Sequence, residues 1–338
     1  MFEEKDGLPV LKIAKSKSSL KKKLQVEVSS RVSEKSDGVI LDGCAILWVI
    51  HWHLNGTVRD FVDGFNQYVL QKMSTCSHLN VIFDRYKDYS IKSRTRSSRA
   101  GAASRASDMP LPPQSVMLTG RKNKEQLIDF IVSELTYRIQ GYRHPTSLTI
   151  TGRLPVPVEI KGGSTIMRQD MKTTHEEADV IIPQQMMNLV ESGCSCVRVI
   201  CDDTDVFALL LHYYKAKGVT ASILMEGTSP QQAIINIGET IKKHTDIISS
   251  LLHAHALTGC DTVGSYHGIG KATAVKVLQS GFRFEHLGDP NADIDLVVKE
   301  ATRFIAACYN ATIDPGESTT DVRYRIWVSK TGRRGARI

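Results

Sequence analysis

Acidic residues close several apolar runs of this chain, and they are the residues best suited to chemistry. Three runs with the composition of buried strands end in acids, which in chain order are Asp42, Asp84 and the pair Asp203 and Asp205. Carboxylates gathered in one cleft repel each other unless they are protonated or neutralised by cations. Because all-oxygen ligation suits Mg²⁺ or Mn²⁺, the pattern indicates a site for hard divalent ions.

Three further acids extend this set. Glu177 and Asp179 precede the apolar helical stretch 180–190, and Asp261 ends the segment Gly259-Cys260-Asp261. Positions i and i+2 do not share a helix face, so we expect one of Glu177 and Asp179 to bind metal directly and the other through water. Taken singly, each acid has a simpler interpretation as a helix cap or loop residue. The joint pattern favours a shared site.

A glycine-containing turn follows the last acid. The chain reads Gly268-Ile269-Gly270-Lys271 and then enters an apolar stretch with helical spacing. Backbone N–H groups at such a helix start bind phosphate. A carboxylate followed by this turn is suited to hold a metal ion and a phosphate backbone together, so phosphodiester chemistry on nucleic acid is the leading hypothesis.

Strand-like and helical stretches alternate along the chain, which predicts an α/β fold with a mostly parallel central sheet and helices on both faces. Strands are predicted at 38–42, 79–84, 147–151, 157–160, 197–201, 222–225 and 233–237. Helices are predicted at 45–68 with a polar break near 55–56, at 123–139 with Asn123 as the cap, and at 180–190, 206–214 and 238–257. Side chains at the carboxyl ends of such strands line the ligand crevice.

Composition and charge are those of a globular protein with a moderate basic excess. The 338 residues are 41% hydrophobic, enough for the core of one large domain or two smaller ones, and the net charge is +7. That excess suits a polyanionic partner without requiring one. The stretch 90–108 concentrates cations and carries no acid before Asp108; a solvated basic loop is its simpler reading. Its cations are Lys92, Arg94, Arg96, Arg99 and Arg105.

Other features exclude some protein classes. No apolar run approaches the ~18 residues of a membrane span, and the region after Met1 is charged, so a soluble protein is expected. The seven cysteines include no Cys-x-x-Cys pair, which favours reduced thiols inside a cell over a disulfide framework or a zinc site.

The acidic motifs resemble those of flap-endonuclease-like 5′ nucleases of the PIN-like superfamily, over about residues 36–280. Asp179 stands where that family usually has Glu, and the lead-in His175-Glu176-Glu177 is closer to a divergent branch found in animals, some of it linked to mobile elements. The matching segments are Leu41-Asp42-Gly43, Phe83-Asp84-Arg85, Glu177-Ala178-Asp179, Asp203-Thr204-Asp205 and Gly259-Cys260-Asp261 with Gly268-Ile269-Gly270-Lys271.

The resemblance implies roles for these residues. A cluster binding two Mg²⁺ or Mn²⁺ ions would consist of Asp42, Asp84, Glu177, Asp179, Asp203, Asp205 and Asp261. The cations that act on the scissile phosphate from a helical arch would be Lys92, Arg94 and Arg99. Nucleic acid would contact Trp48, Arg96, Gly268, Gly270 and Lys271, with Trp48 stacking on a base unless it is a core residue.

The domain organisation expected from these motifs has four parts. They are a flexible basic N-terminal arm (1–35), a PIN-like nuclease domain (36–257) with a basic arch-like insert near 90–113, a helix-hairpin-helix-like DNA-binding region (258–310) and a basic tail (311–338). The expected partner is nucleic acid, DNA in preference to RNA, and the expected compartment is the nucleus.

Three functions compete at this point. The first is a Mg²⁺-dependent, structure-specific 5′ nuclease that acts on DNA by a two-metal mechanism. The second is a catalytically weak or inactive nucleic-acid-binding protein of the same fold. The third is a phosphohydrolase of small esters; it requires an Asp-x-Asp motif, whereas Asp42 is followed by Gly43 and Cys44.

Overall fold

The computed structural model describes residues 2–5, 8–11, 18–28, 36–53, 55–85, 110–142, 144–229, 231–261, 263–314 and 316–332. The chain divides into two compact units. We call residues 25–242 the sheet unit, and residues 1–24 with 243–338 the terminal unit. The terminal unit begins with β1 (Phe2–Lys5), β2 (Leu8–Leu11) and α1 (Ser18–Leu24).

The sheet unit is an α/β structure. Its strands are β3 (Gly38–Asp42), β4 (His78–Ile82), β5 (Ser147–Thr151), β6 (Val158–Lys161), β7 (Ser164–Met167), β8 (Cys196–Ile200), β9 (Ser222–Glu226) and β10 (Ile235–Asn236). Its helices are α2 (Gly43–Val49), α3 (Val58–Met73), α4 (Gln114–Thr119), α5 (Arg121–Tyr142), α6 (Ala178–Glu191), α7 (Thr204–Ala216) and α8 (Ile237–Lys243), which runs to the unit boundary.

The eight strands form one sheet in the order β10-β9-β8-β3-β4-β5-β6-β7. The central strands β9, β8, β3, β4 and β5 are parallel, and β10, β6 and β7 add antiparallel pairs at the two edges. Because the carboxyl ends of parallel strands lie at one edge, the segments after β3, β4 and β8 leave the sheet side by side. The predicted mostly parallel α/β sheet is confirmed.

One face of the sheet packs against α3 and α5. Val39 and Leu41 of β3 and Leu79 and Val81 of β4 point to this face, since alternate residues of a strand share a side. They form one buried cluster with the apolar stripes of the two helices, including Phe61, Phe65, Leu127 and Ile131. Burial of these side chains from water is the main term that holds the layer together.

Helix α6 covers the opposite face. A methyl group on Gly38 would meet the Leu189 side chain at 2.9 Å, so strand and helix are in close contact there. Between them lies a buried polar pair in which the Asn80 amide donates to the Gln185 amide oxygen at 2.9 Å. A buried amide without a partner is costly, so this pair favours a single register between β4 and α6. Helices therefore cover both faces.

Several local predictions differ from the structure. The predicted helix at 45–68 is two helices, because the chain leaves α2 at Ile50 and the Thr57 capping box starts α3. Asn123 is not a cap; α5 begins at Arg121, and Asn123 is buried in its first turn. The predicted helix at 238–257 is interrupted by a turn at 244–247.

The described part of the terminal unit is mostly helical. Its helices after the boundary are α9 (Ile248–Leu257), α10 (Lys271–Gln279), α11 (Ile294–Cys308) and α12 (Thr319–Gly332). Helix α1 packs on α10 with Leu20 and Leu24 buried, so this part of the predicted flexible arm belongs to the folded unit. The boundary between the two compact units lies at residues 242/243, and the expected four-part organisation stays a prediction.

Glu300 organises the connection between α10 and α11. Its carboxylate accepts N–H groups from Glu285 (2.6 Å), His286 (3.1 Å) and Leu287 (2.8 Å). Burial alone would raise the pKa of Glu300, but these donors outweigh it and the pKa is lowered. Phe282, Phe284 and Phe304 pack beside this connection with ring centroids 4.9 to 5.2 Å apart.

Glu300→Gln is expected to lower the free energy of unfolding by about 2 kcal/mol at pH 7, because a charged acceptor of three N–H groups becomes neutral. A lowered folded-state pKa means that this contribution is present above the ordinary glutamate pKa of 4.5 and is lost as the pH falls through the lowered value. Denaturant titrations should therefore show the full difference at pH 7 and a progressively smaller one as the pH falls below 4.5. The matched control is exposed Glu285→Gln; an equal effect from it would contradict this assignment.

No helix within the described ranges is long and apolar enough to cross a membrane.

Candidate metal centre

Three carboxylates meet at the carboxyl edge of the parallel strands. Asp179, Asp203 and Asp205 each have a carboxylate oxygen that lies within 4.8 Å of an oxygen of the other two. All three residues are partly exposed. Asp203 and Asp205 follow β8, and Asp179 is in the first turn of α6.

Local structure accounts for the position of each of these acids. Asp203 is the N-cap of α7, and its side chain accepts the backbone N–H of Asp205 at 2.7 Å. Asp205 and Asp179 lie in the first turns of their helices, where the helix dipole favours negative charge. Each acid therefore has a favourable local interaction, and the mutual repulsion arises only where the two helix starts meet.

Asp42 lies deeper at the same edge. It is the last residue of β3 and the N-cap of α2, where its Oδ1 accepts the Ala45 N–H at 3.0 Å. The residue after Asp42 is glycine because a Cβ atom at position 43 would lie only 2.6 Å from the Phe83 ring. Burial raises the pKa of Asp42 to about 6, and the charge of nearby Asp84 adds to the increase.

Two buried thiols lie beneath these acids. The Cys201 thiol is 3.3 Å from Asp42 Oδ2 and also accepts the Asp203 N–H at 3.4 Å. Burial raises the pKa of this thiol well above its ordinary value, so it stays protonated and donates to the carboxylate. Cys44 accepts the Asp84 N–H at 3.4 Å, and burial raises its pKa to about 12. The thiols thus connect Asp42 with Asp203 and support Asp84.

Asp84 lies between two helices. Its Oδ1 accepts the N–H of Ala178, the first residue of α6, at 3.1 Å. Its Oδ2 lies 3.8 Å from the ammonium of Lys124 on α5. The acid therefore joins the start of α6 to the sheet edge and has a cation beside it.

Arg85 supports the segment that leads into α6. Its guanidinium is buried and donates to the carbonyl oxygens of Thr173 (2.6 Å), His175 (3.1 Å) and Arg153 (3.4 Å). Its backbone N–H donates to the backbone carbonyl of Glu176 at 2.6 Å. Three of these four contacts, those to Thr173, His175 and Glu176, thus fix the backbone immediately before Glu177.

The other predicted site residues have varied positions. Glu177 is the N-cap residue of α6, next to the N–H bound by Asp84. Trp48 is on α2, the helix capped by Asp42, and 47% of its surface is exposed, so it is not a core residue. Asp261 belongs to the terminal unit, between α9 and α10, and its place in a shared site stays a prediction. The predicted cations Lys92, Arg94, Arg96 and Arg99 lie outside the described residues.

The turn before α10 has the backbone that its glycines suggest. Gly268 has φ +77°, a conformation that favours glycine, and Gly270 is the N-cap of α10. Lys271 differs from its prediction. It is 1% exposed, and its ammonium donates to the carbonyls of His255 and Gly259 and to the Thr258 hydroxyl. Its side chain holds the preceding loop together, so it does not face a nucleic acid.

Sequence reasoning missed Lys124, Arg85 and the two thiols as parts of this site. Phe83-Asp84-Arg85 forms a sequence motif, but nothing local indicates that the Arg85 side chain contacts carbonyls about 90 residues further along the chain. Lys124 carried only the signal of a helix start. The cysteines directly after β3 and β8 offered a usable clue, since they stand next to the acids at two strand ends.

The donor set fits hard divalent ions. On one octahedral Mg²⁺, adjacent ligand oxygens lie about 3 Å apart and opposite ones about 4.2 Å apart. The oxygens of Asp179, Asp203 and Asp205, which lie within 4.8 Å of one another, would move closer together to share one ion. Asp42 and Asp84 at the same edge also interact electrostatically with each other. The three clustered side chains all offer carboxylate oxygens, which favours a hard divalent ion over a soft metal.

Comparison with protein-family models and with curated protein sequences finds no match. Among solved structures, the chain is similar to one described as the catalytic core of Rad2 in complex with DNA substrate. The sequence identity is 14%, the match covers 94% of this chain and 80% of that chain, and the TM-score is 0.47. A similarity at this level does not support any particular activity.

Proposed function

We propose that the chain is a metal-dependent phosphodiesterase, a structure-specific 5′ nuclease of the flap-endonuclease type that acts on DNA. The observation that carries the proposal is the meeting of Asp179, Asp203 and Asp205 at the carboxyl edge of the parallel strands. Carboxylates this close are favourable mainly when cations neutralise them. The resemblance of the acidic motifs to those of 5′ nucleases supports phosphodiester hydrolysis as the chemistry.

Two groups of acids would hold the ions. Asp179, Asp203 and Asp205 would bind one Mg²⁺ or Mn²⁺, and Asp42 with Asp84 would bind a second; Glu177 and Asp261 are further proposed ligands. Bound divalent ions supply Lewis-acid polarisation of a phosphoryl oxygen and a lowered pKa of bound water. The protein's own contribution is to hold the carboxylates in place through the Cys201 and Ala178 contacts.

The surroundings of the acids provide the remaining proposed contacts. The exposed Trp48 ring is on the helix that begins at Asp42, which suits stacking on a base next to the cut. Lys124, beside Asp84, is a cation that can approach a phosphate oxygen. Lys92, Arg94, Arg96 and Arg99 are proposed to act on the scissile phosphate and the strand that carries it.

Cleavage assays test the proposal directly. The full chain would be incubated with 5′-labelled flap, nicked and single-stranded DNA in Mg²⁺, Mn²⁺, Ca²⁺ or EDTA. Cleavage of the flap substrate is expected with Mg²⁺ or Mn²⁺ and none with EDTA, and Asp179→Asn should remove it. Binding of these substrates without cleavage under every metal condition would contradict the proposal.

A catalytically weak nucleic-acid-binding protein is the second candidate, and one observation favours it. Asp42 and Asp84 already have partners from the protein itself, in the Ala45 N–H and Cys201 thiol for the first and the Ala178 N–H and Lys124 for the second. These hydrogen bonds and the Lys124 charge already stabilise the two carboxylates, so a metal ion would add less stabilisation. Under this candidate, millimolar Mg²⁺ would leave the thermal unfolding midpoint unchanged, whereas metal binding would raise it.

Lys124→Gln is expected to lower the Mg²⁺ concentration for half-maximal cleavage by about 2- to 5-fold, because it removes a positive charge near a proposed metal ligand. The ammonium lies 3.8 Å from Asp84 Oδ2, on a largely buried side chain. Metal titrations of the initial cleavage rate measure the shift. The control is Lys122→Gln, an exposed lysine of the same helix. A higher Mg²⁺ requirement for Lys124→Gln would show that Lys124 does not oppose the metal.

A further inference from the structure

The last helix of the terminal unit exposes two aromatic rings. On α12, Tyr324 is 65% exposed and Trp327 is 60% exposed, while Val322 on the other side is buried. The two rings are stacked, with centroids 6.1 Å apart and planes 29° from parallel. Large aromatic surfaces are unusual in water and commonly mark a binding surface.

Arg323, between Val322 and Tyr324, is held against the turn that precedes α10. Its guanidinium lies over the Tyr266 ring, 5.7 Å from the centroid, and it donates to the Tyr309 hydroxyl. That hydroxyl in turn donates to the His267 carbonyl at 2.8 Å. A guanidinium carries five N–H groups, so one anchored in this way can still offer donors to a phosphate oxygen.

The helix geometry makes Arg323 and the two rings continuous. At about 100° per residue, Trp327 lies about 40° around the helix from Arg323, and Tyr324 lies about 60° beyond Trp327. The order across the surface is therefore the 266–268 turn, Arg323, Trp327 and Tyr324. We call Arg323, Tyr324 and Trp327 the aromatic track.

Charge selects the ligand class. From residue 317 to the end, the sequence carries six cations against the two acids Glu317 and Asp321, and Arg325 is paired with Glu317 at 2.7 Å. The cations are Arg323, Arg325, Lys330, Arg333, Arg334 and Arg337. A basic segment with exposed Tyr and Trp rings has the two elements of single-strand recognition, phosphate attraction and base stacking. An apolar protein partner would not require this charge.

We propose that the aromatic track binds single-stranded nucleic acid, with Arg323 on a phosphate and Trp327 and Tyr324 stacked on successive bases. The proposal rests on the proposed function in taking nucleic acid as the substrate, and it adds a strand-binding surface outside the acid cluster. The track lies wholly within the terminal unit, whereas Asp179, Asp203 and Asp205 belong to the sheet unit.

Binding would be measured on the full chain in EDTA, by fluorescence anisotropy with a labelled single-stranded oligodeoxynucleotide and a duplex of equal length. Trp327→Ala and Tyr324→Ala are each expected to weaken single-strand binding by roughly 5- to 100-fold, and the duplex much less. Trp327→Phe, which keeps a stacking ring, should recover most of the affinity. The matched control is Val328→Ala, on an exposed residue of the same helix.

Salt dependence separates the two kinds of contact. Arg323→Gln is expected to reduce the slope of log affinity against log salt by about 1, because one phosphate contact is lost. Trp327→Ala should lower affinity with an unchanged slope, since stacking releases no counterion. The variants' unfolding midpoints would be compared with wild type, so that a lost fold is not mistaken for a lost contact; Tyr324→Phe gives a second ring variant.

The proposal would be overturned if Trp327→Ala and Tyr324→Ala bound the single strand as tightly as the wild type. It would also be overturned if Val328→Ala lost as much affinity as the two ring variants. The result is separable from the cleavage assay. Binding that depends on the two rings, without Mg²⁺-dependent cleavage, would contradict the nuclease function and support the aromatic track. Cleavage together with binding that does not depend on the rings would contradict only the aromatic track.

Discussion

Asp203→Asn is expected to lower Mg²⁺-dependent cleavage by about 10³-fold, because a metal ligand contributes several kcal/mol to stabilising the charge of the transition state. The substitution is close to isosteric. Asparagine caps helices as well as aspartate does, so the start of α7 and the Asp205 N–H contact should persist. The loss would therefore report on metal binding rather than on folding.

Stability provides the second measurement. Without metal, Asp203→Asn should be as stable as wild type or more stable, because one of three neighbouring negative charges is gone. Addition of Mg²⁺ should raise the thermal unfolding midpoint of the wild type, and it should raise that of the variant much less. Asp203→Ala separates the metal-binding role from the capping role, since it also removes the helix cap and should lower the free energy of unfolding by about 1 kcal/mol. Undiminished cleavage by Asp203→Asn would exclude Asp203 as a ligand.

Arg85→Ala is expected to lower the free energy of unfolding by about 2 kcal/mol or more, since it leaves the buried Thr173 carbonyl and the partly buried carbonyls of His175 and Arg153 without their donor. The same contacts fix the backbone that leads to Glu177 and Asp179. We therefore also expect cleavage to fall by about 10- to 100-fold at temperatures where the variant is folded, the usual effect of losing an outer support of a metal site. Denaturant titration and initial rates measure the two effects.

Arg153→Ala is the matched control for Arg85→Ala. The Arg153 side chain is 78% exposed and pairs with Asp129 at 3.3 Å, so its loss should change stability by less than about 1 kcal/mol. Only the backbone carbonyl of Arg153 contacts Arg85, and the alanine variant keeps it. If the two variants were equally stable, the buried guanidinium would not have the supporting role assigned to it.

Much of the fold was predictable because it depends on short-range patterns. Apolar runs that end in acids predicted β3, β4 and β8, and their alternation with helical stretches predicted a parallel sheet. Weaker local signals were read less well. The two-residue strand β10 was predicted too long, and the exposed β7 was not predicted at all, because an edge strand with no buried residue has no apolar pattern.

Side-chain partners were the hardest to predict. The resemblance implied that Lys271 contacts nucleic acid, whereas backbone carbonyls around it satisfy the ammonium in the interior, which is unusual for a lysine. The contact of Lys124 with Asp84 joins residues from separate helix and strand segments. Neither contact leaves a periodic trace, because it depends on how elements distant in sequence pack.

The amino-acid sequence by itself determined the α/β class and the residues at the strand ends, since hydrophobic periodicity and turn chemistry act over a few neighbouring positions. Only the tertiary structure decided which of these residues meet. The packing of α6 against the sheet brings Asp179 beside Asp203 and Asp205, and the Cys201 and Ala178 contacts position Asp42 and Asp84. Proximity in space depends on the packing of whole helices against the sheet, a property that no single stretch of the chain contains.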